Sequence, residues 1–148
     1  MSISTVTVAD SISKLTVSGV TIKDLDEIQD KVLARDCPLV LPAPDFMQVA
    51  EATRESVGTG AAAKWNFNYT LNYRLFYKPV GSERGLRDIY PTLVAKVLLF
   101  VEAVIADELT GAVDVTFGGI TGFGVVPDPS ENLFWGCDIQ INVLEFIN

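Results

Sequence analysis

The stretch Trp65-Asn66-Phe67-Asn68-Tyr69-Thr70-Leu71-Asn72-Tyr73-Arg74-Leu75-Phe76-Tyr77-Lys78 decides the fold. Trp65, Phe67, Tyr69, Leu71, Tyr73, Leu75 and Tyr77 share one parity. Asn66, Asn68, Thr70, Asn72, Arg74 and Lys78 share the other, and Phe76 alone breaks the pattern. Successive side chains of a strand point to opposite faces, so this alternation predicts a long strand with one apolar and one wet face. Such clean alternation belongs to an antiparallel sheet open to solvent on one side.

Past a turn region at residues 79–85 the spacing becomes helical. Ile89, Leu93, Val94, Val97, Leu98, Phe100, Val101, Val104 and Ile105 fill about half the circumference at 100° per residue, and Asp88, Thr92, Lys96, Glu102 and Asp107 take the other half. An arc this wide predicts a helix laid across the sheet, with Leu99 on its polar side hinting at a further contact. Pro91 fits only near a first turn, which sets the expected start at Ile89 or Tyr90, and Gly111 is placed to cap the end. Beyond it, Val113-Asp114-Val115-Thr116 alternates and Gly118, Gly119 and Gly122 mark a bulge or turn. Phe123-Gly124-Val125-Val126 resumes a strand, and Pro127-Asp128-Pro129-Ser130 turns the chain. A closing strand over residues 133–146 puts Trp135, Cys137, Ile139, Ile141 and Val143 on one face and Asp138, Gln140 and Asn142 on the other.

Upstream the signals are shorter. Val6, Val8, Ile12 and Leu15 predict a short helix over residues 5–16, ended by Gly19, and Val20-Thr21-Ile22 a short strand. Pro38-Leu39-Val40-Leu41-Pro42 reads as a strand bounded by prolines, followed by the extended Pro42-Ala43-Pro44. Residues 45–63 fit no template, and Ser56-Val57-Gly58-Thr59-Gly60 reads as a loop. The whole is α+β: a single domain over residues 1–148, with one mostly antiparallel sheet, a long amphipathic helix on one face and a short N-terminal helix.

Composition narrows the function classes. The chain has 148 residues, 49% of them hydrophobic and 20% charged, a globular balance. Eleven Lys and Arg against 19 Asp and Glu leave a net charge of −8, which argues against a general nucleic-acid binder. There is no histidine, so no Ser-His-Asp or Cys-His nucleophile, imidazole base or His-ligated metal is available. Asp24-x-Asp26-Glu27-x-x-Asp30 fails the calcium-loop pattern, because Ile28 and Gln29 stand where an oxygen ligand and a glycine are needed. It reads as a solvated loop. Gly118-Gly119-Ile120-Thr121-Gly122-Phe123-Gly124 is followed by β-type residues rather than a helix, so it reads as a bulge or hairpin, not a dinucleotide loop. Cys37 and Cys137 read as buried free thiols, although spacing alone leaves a bridge between them open. We therefore expect no catalytic residue, cofactor or metal, and no enzyme. The aromatic strand 65–77, with Lys64, Arg74 and Lys78 nearby, reads as core or subunit interface. The alternative is a binding platform for a peptide, glycan or single-stranded nucleic acid. Met1-Ser2-Ile3-Ser4 opens no secretory signal. The apolar stretch 92–106, interrupted by Lys96 and Glu102, is short for a membrane span, so a soluble protein made in a reducing cytoplasm is expected.

Several local patterns resemble the tail terminator and head–tail neck proteins of long-tailed bacteriophages. They are Gly19-Val20-Thr21-Ile22 leading into Asp24-Leu25-Asp26-Glu27-Ile28, then Arg35-Asp36-Cys37-Pro38-Leu39-Val40-Leu41-Pro42-Ala43-Pro44, the alternating strand before a long apolar helix, and the closing Asp138-Ile139-Gln140-Ile141-Asn142-Val143. Residues 45–63 look like an insertion in that pattern. The resemblance implies a virion subunit that closes into a homo-oligomeric ring, commonly a hexamer, capping the tail tube and joining it to the head. Its partners would be tail-tube and head-completion or connector proteins. The surplus of carboxylates suits a lumen through which DNA passes without specific binding.

Overall fold

The computed structural model describes residues 5–54, 65–81, 86–106 and 113–147. Its elements are α1 (Thr5–Ser13), β1 (Thr21–Ile22), β2 (Leu39–Arg54), β3 (Trp65–Pro79), α2 (Leu86–Ala106), β4 (Val113–Pro127) and β5 (Leu133–Ile147). The five strands form one sheet in the order β1-β2-β3-β5-β4, with β1 parallel to β2 and every other pair antiparallel. The fold is thus α+β, as the alternation and the helical arc predict.

Both helices contribute to one face of the sheet. Val8 and Ile12 of α1, and Ile89, Leu93, Val97, Phe100 and Val104 of α2, form one core with Tyr69, Leu71, Tyr73 and Leu75 of β3 and Cys137, Ile139, Ile141 and Val143 of β5. The odd-numbered ladder of β3 is therefore core beneath the long helix. Phe46 and Phe100 contact Tyr73 with ring centroids 5.3 and 5.8 Å away. By length and composition alone, residues 87–106 suffice to cross a membrane, more than the stretch 92–106 suggested, and their buried stripe is this core.

The opposite face departs from the simple wet-face expectation. Phe76, the residue out of pattern, joins Leu39, Leu41, Val126, Phe134 and Val32 in a second apolar cluster. The segment leading from β1 to β2 crosses this end of the sheet and is held there by Asp128. That carboxylate accepts hydrogen bonds from the Val32 N–H at 3.0 Å, the Ser130 N–H at 2.9 Å, the Asn132 N–H at 2.8 Å and the Asn132 side chain at 3.2 Å. Ser130 Oγ adds a bond to the Asp30 carbonyl at 2.5 Å.

Four boundaries differ from expectation, each for a local reason. Helix α1 stops at Ser13, whose hydroxyl donates to the Asp10 carbonyl at 2.6 Å, and Gly19, at φ +70°, serves instead the turn that brings Val17 against Val20. Strand β2 runs on through Pro42 and Pro44 to Arg54, absorbing the first half of the stretch 45–63; its register shifts between Pro42 and Met47, where Pro44 lies, and again between Met47 and Ala50. Helix α2 starts at Leu86, so Pro91 lies inside it, one turn past the expected position. The glycine run falls within a single strand, β4, at register shifts between Phe117 and Gly119 and between Thr121 and Gly124. Gly58, Gly60 and Gly111 lie outside the described residues.

Candidate functional site

Three surfaces are left unfinished. The first is the outer edge of β4, which among the described residues pairs only with β5. At the other end of the sheet β1 covers β2 only at Leu39 and Val40, so residues 41–54 of β2 have no partner on that side among the described residues. Open edges present unpaired N–H and C=O groups and are templates for pairing. Pro42 and Pro44 lack an N–H to offer, so this stretch of β2 is the less adhesive of the two.

The second is one flank of α2. The Lys96 flank faces the turn after α1, where its ammonium donates to the Ser18 carbonyl at 3.3 Å. On the other side, Tyr90, Val94, Leu98 and Ile105 fall on one stripe by helical spacing. Tyr90, Leu98 and Ile105 are 48%, 46% and 48% exposed. The stripe turns toward β4, since the Tyr90 and Phe123 rings lie 5.5 Å apart. Exposed Phe117 and Val125 extend the apolar surface along β4. Arg87, one turn before Tyr90, puts a cation at the end of the stripe.

The third is a groove of about 560 Å³ at the β2 side of the sheet. Ile28, Leu41, Ala43, Pro44, Phe46 and Phe76 give it apolar lining, and Arg74, Asp128 and Glu131 its charged groups. Arg74 at its floor is already neutralised: its Nε donates to Asp138 Oδ1 at 2.7 Å and a second nitrogen reaches Oδ2 at 3.3 Å. The two residues are register partners on β3 and β5. Glu131 holds φ at +67°, a conformation that costs a non-glycine residue energy; its N–H donates to the Asp128 carbonyl at 2.9 Å.

The features singled out in the sequence are distributed as follows. The acidic run opens a short 3-10 turn at Leu25–Glu27 rather than a bare loop. Asp24 caps it by accepting from the Leu25 N–H at 2.7 Å, and Glu27 accepts in return from the Asp24 N–H at 3.0 Å. Among the described residues no three of Cys, Asp and Glu gather as a metal site. Cys37 and Cys137 are free thiols belonging to the two different apolar clusters; Cys137 is buried as expected, but Cys37 is only half-buried, at the margin of its cluster. Burial, with Asp36 and Asp138 beside them, pushes their thiols up to about 11 and about 12, so neither is an activated nucleophile. In the aromatic strand, Tyr69 and Tyr73 are covered by the helices, which removes their faces from any stacking platform. The side chains of Trp65 and Lys64 lie outside the described residues. What sequence reasoning missed is that Leu98 and Ile105, both assigned to the buried arc, are exposed. Their i, i+7 spacing from one another, at the arc's margin, was the available signal.

No family model matches the chain, and no curated protein is significantly similar to it.

Proposed function

We propose that the chain is a structural virion protein: a non-enzymatic subunit that closes into a homo-oligomeric ring at the tail end or head–tail junction of a long-tailed bacteriophage. There it would cap the tail tube and join it to the head-completion or connector proteins. The phage assignment rests on the sequence resemblance. The structural observation that supports a self-assembling subunit is the pair of unfinished sides, β4 with the α2 stripe at one end of the sheet and β2 at the other. Strand direction alternates from β2 through β3 and β5 to β4. The β4 of one copy and the β2 of an identically oriented neighbour would therefore run antiparallel, in the sense the rest of this sheet uses. Repeating one such heterologous contact by rotation yields a ring. The net charge of −8 fits a lumen that DNA traverses without adhering.

The test is the mass of the purified protein by light scattering over a wide concentration range, with negative-stain imaging of the same samples. Rings, or a monomer converted to rings by tail tubes, are expected. A monomer at every concentration, with or without tubes, rejects the reading.

A further inference from the structure

The acidic run of the sequence, which the ring proposal leaves unused, borders the groove at the β2 side. Residues 24–31 and 127–131 together carry Asp24, Asp26, Glu27, Asp30, Asp128 and Glu131 against one cation, Lys31. The two segments are tied to each other, the Val32 N–H donating to Asp128 and Ser130 Oγ to the Asp30 carbonyl, so their charges share one rim. The oxygens of Asp128 are taken by the Val32, Ser130 and Asn132 groups. Glu131 is exposed and makes no ion pair among the described residues. The groove's own cation, Arg74, is held by Asp138 and so does not cancel the rim. The rest of the lining is apolar, and Ile28 within it is 45% exposed.

A concave apolar site with a few convergent charges is the usual form of a ligand site, and here the uncompensated charges are of one sign. A bare cation would leave the apolar lining wet. A neutral apolar group would cover the carboxylates without answering them. A basic side chain next to an apolar one satisfies both, since lysine and arginine carry a long apolar stem behind the charge. We infer that the groove docks a basic, apolar segment of a partner protein, in which an arginine or lysine meets Glu131 and a neighbouring apolar side chain covers Ile28 and Phe76. Strand β2 supplies much of the lining, and residues 41–54 have no strand partner on their outer side among the described residues, so an extended segment can lie along it. A second copy, at −8, is the poorer occupant. The site uses residues 41–46 of β2 and leaves residues 47–54 to a ring contact. The inference goes beyond the ring proposal and does not depend on it.

The experiment titrates the full chain into three dye-labelled peptides and reads fluorescence anisotropy: Leu-Arg-Leu-Arg-Leu, the charge-only Gly-Arg-Gly-Arg-Gly, and the acidic Leu-Glu-Leu-Glu-Leu. The first should bind at least about tenfold more tightly than either of the others. Glu131→Lys should weaken it about tenfold and Ile28→Ala severalfold. Both positions are exposed, so folded variants are expected, checked by circular dichroism. Glu102→Lys makes the same charge change at an exposed position on α2 and should alter the affinity less than about twofold. The inference is overturned if the first peptide does not bind, if the glycine peptide binds as tightly, if Glu131→Lys or Ile28→Ala has no effect, or if Glu102→Lys weakens binding as much as Glu131→Lys. Peptide binding that disappears as the chain self-assembles would make a second copy the occupant and overturn it as well. A chain that binds the peptide as described yet stays monomeric with tail tubes rejects the ring and keeps this inference.

Discussion

The Tyr73 hydroxyl is buried without a hydrogen-bond partner. Burial first, then the negative charge of Asp24 and the nearby Tyr69, hold it protonated far above the usual tyrosine range. The ring earns its place by packing between Phe46 and Phe100; the oxygen contributes nothing that the structure uses. Tyr73→Phe should therefore leave the urea midpoint unchanged or raise stability by up to about 1 kcal/mol. A clear loss would show that the hydroxyl has a partner after all. Asp128 is the converse case. Burial pushes its carboxyl up, but the Val32 and Asn132 N–H groups, the Asn132 side chain and the Ser130 N–H together hold it below its ordinary 3.8. The unfolded chain then binds the proton more readily than the folded one. Its stabilising effect is complete above about that value and is lost as the pH falls through the lower folded value. Asp128→Ala should cost about 1–3 kcal/mol by urea denaturation, by leaving the Val32 N–H unpaired, and should flatten the acid side of the stability profile. None of this was legible in Pro127-Asp128-Pro129-Ser130 beyond the turn itself, because the group that Asp128 holds lies 96 residues earlier.

Among the elements, β3, β5 and α2 were legible because each keeps one period over most of its length, the β3–β5 pairing shifting register only between Phe76 and Lys78. Where a strand bulges, the period-two signal changes phase. The second half of β2 lost its alternation at the two register shifts after Pro42, and β4 broke into two apparent strands at its glycines. Pro91 misled in another way: a helix held by Ile89, Leu93 and Val97 against a sheet tolerates one missing backbone bond. Gly136 of β5 faces the Leu75 backbone of β3 with no room for a side chain. A methyl there would run into the Leu75 carbonyl oxygen and come within 2.8 Å of Val126 Cγ2. Gly136→Ala should accordingly destabilise the fold by about 3 kcal/mol or more, read as a shifted thermal or urea midpoint. A melting curve like that of the unaltered protein would mean that the two strands can part at this point without loss.

At the scale of the molecule, the two apolar clusters share the strands between them: Leu39 and Val40, or Leu75 and Phe76, are sequence neighbours belonging to opposite faces of one sheet. Neither cluster can be lost without exposing strand that the other needs. Calorimetry should show a single transition whose calorimetric and van't Hoff enthalpies agree, with an enthalpy near 60 °C of roughly 100 kcal/mol for a chain of this length. Two resolved transitions would divide the chain into two units and reject the single-domain reading. Self-association would make the midpoint rise with protein concentration, which links this measurement to the ring proposal.

By itself the sequence determined which side chains must leave water and with what period, since that depends only on residue type and spacing along a strand or helix. The alternating β3, the apolar arc of α2 and the α+β class follow from it. Only the tertiary structure decided the strand order, the strap pinned by Asp128 over a second cluster, and which apolar residues stay uncovered. Those depend on segments meeting across long separations, which residue type and spacing do not encode.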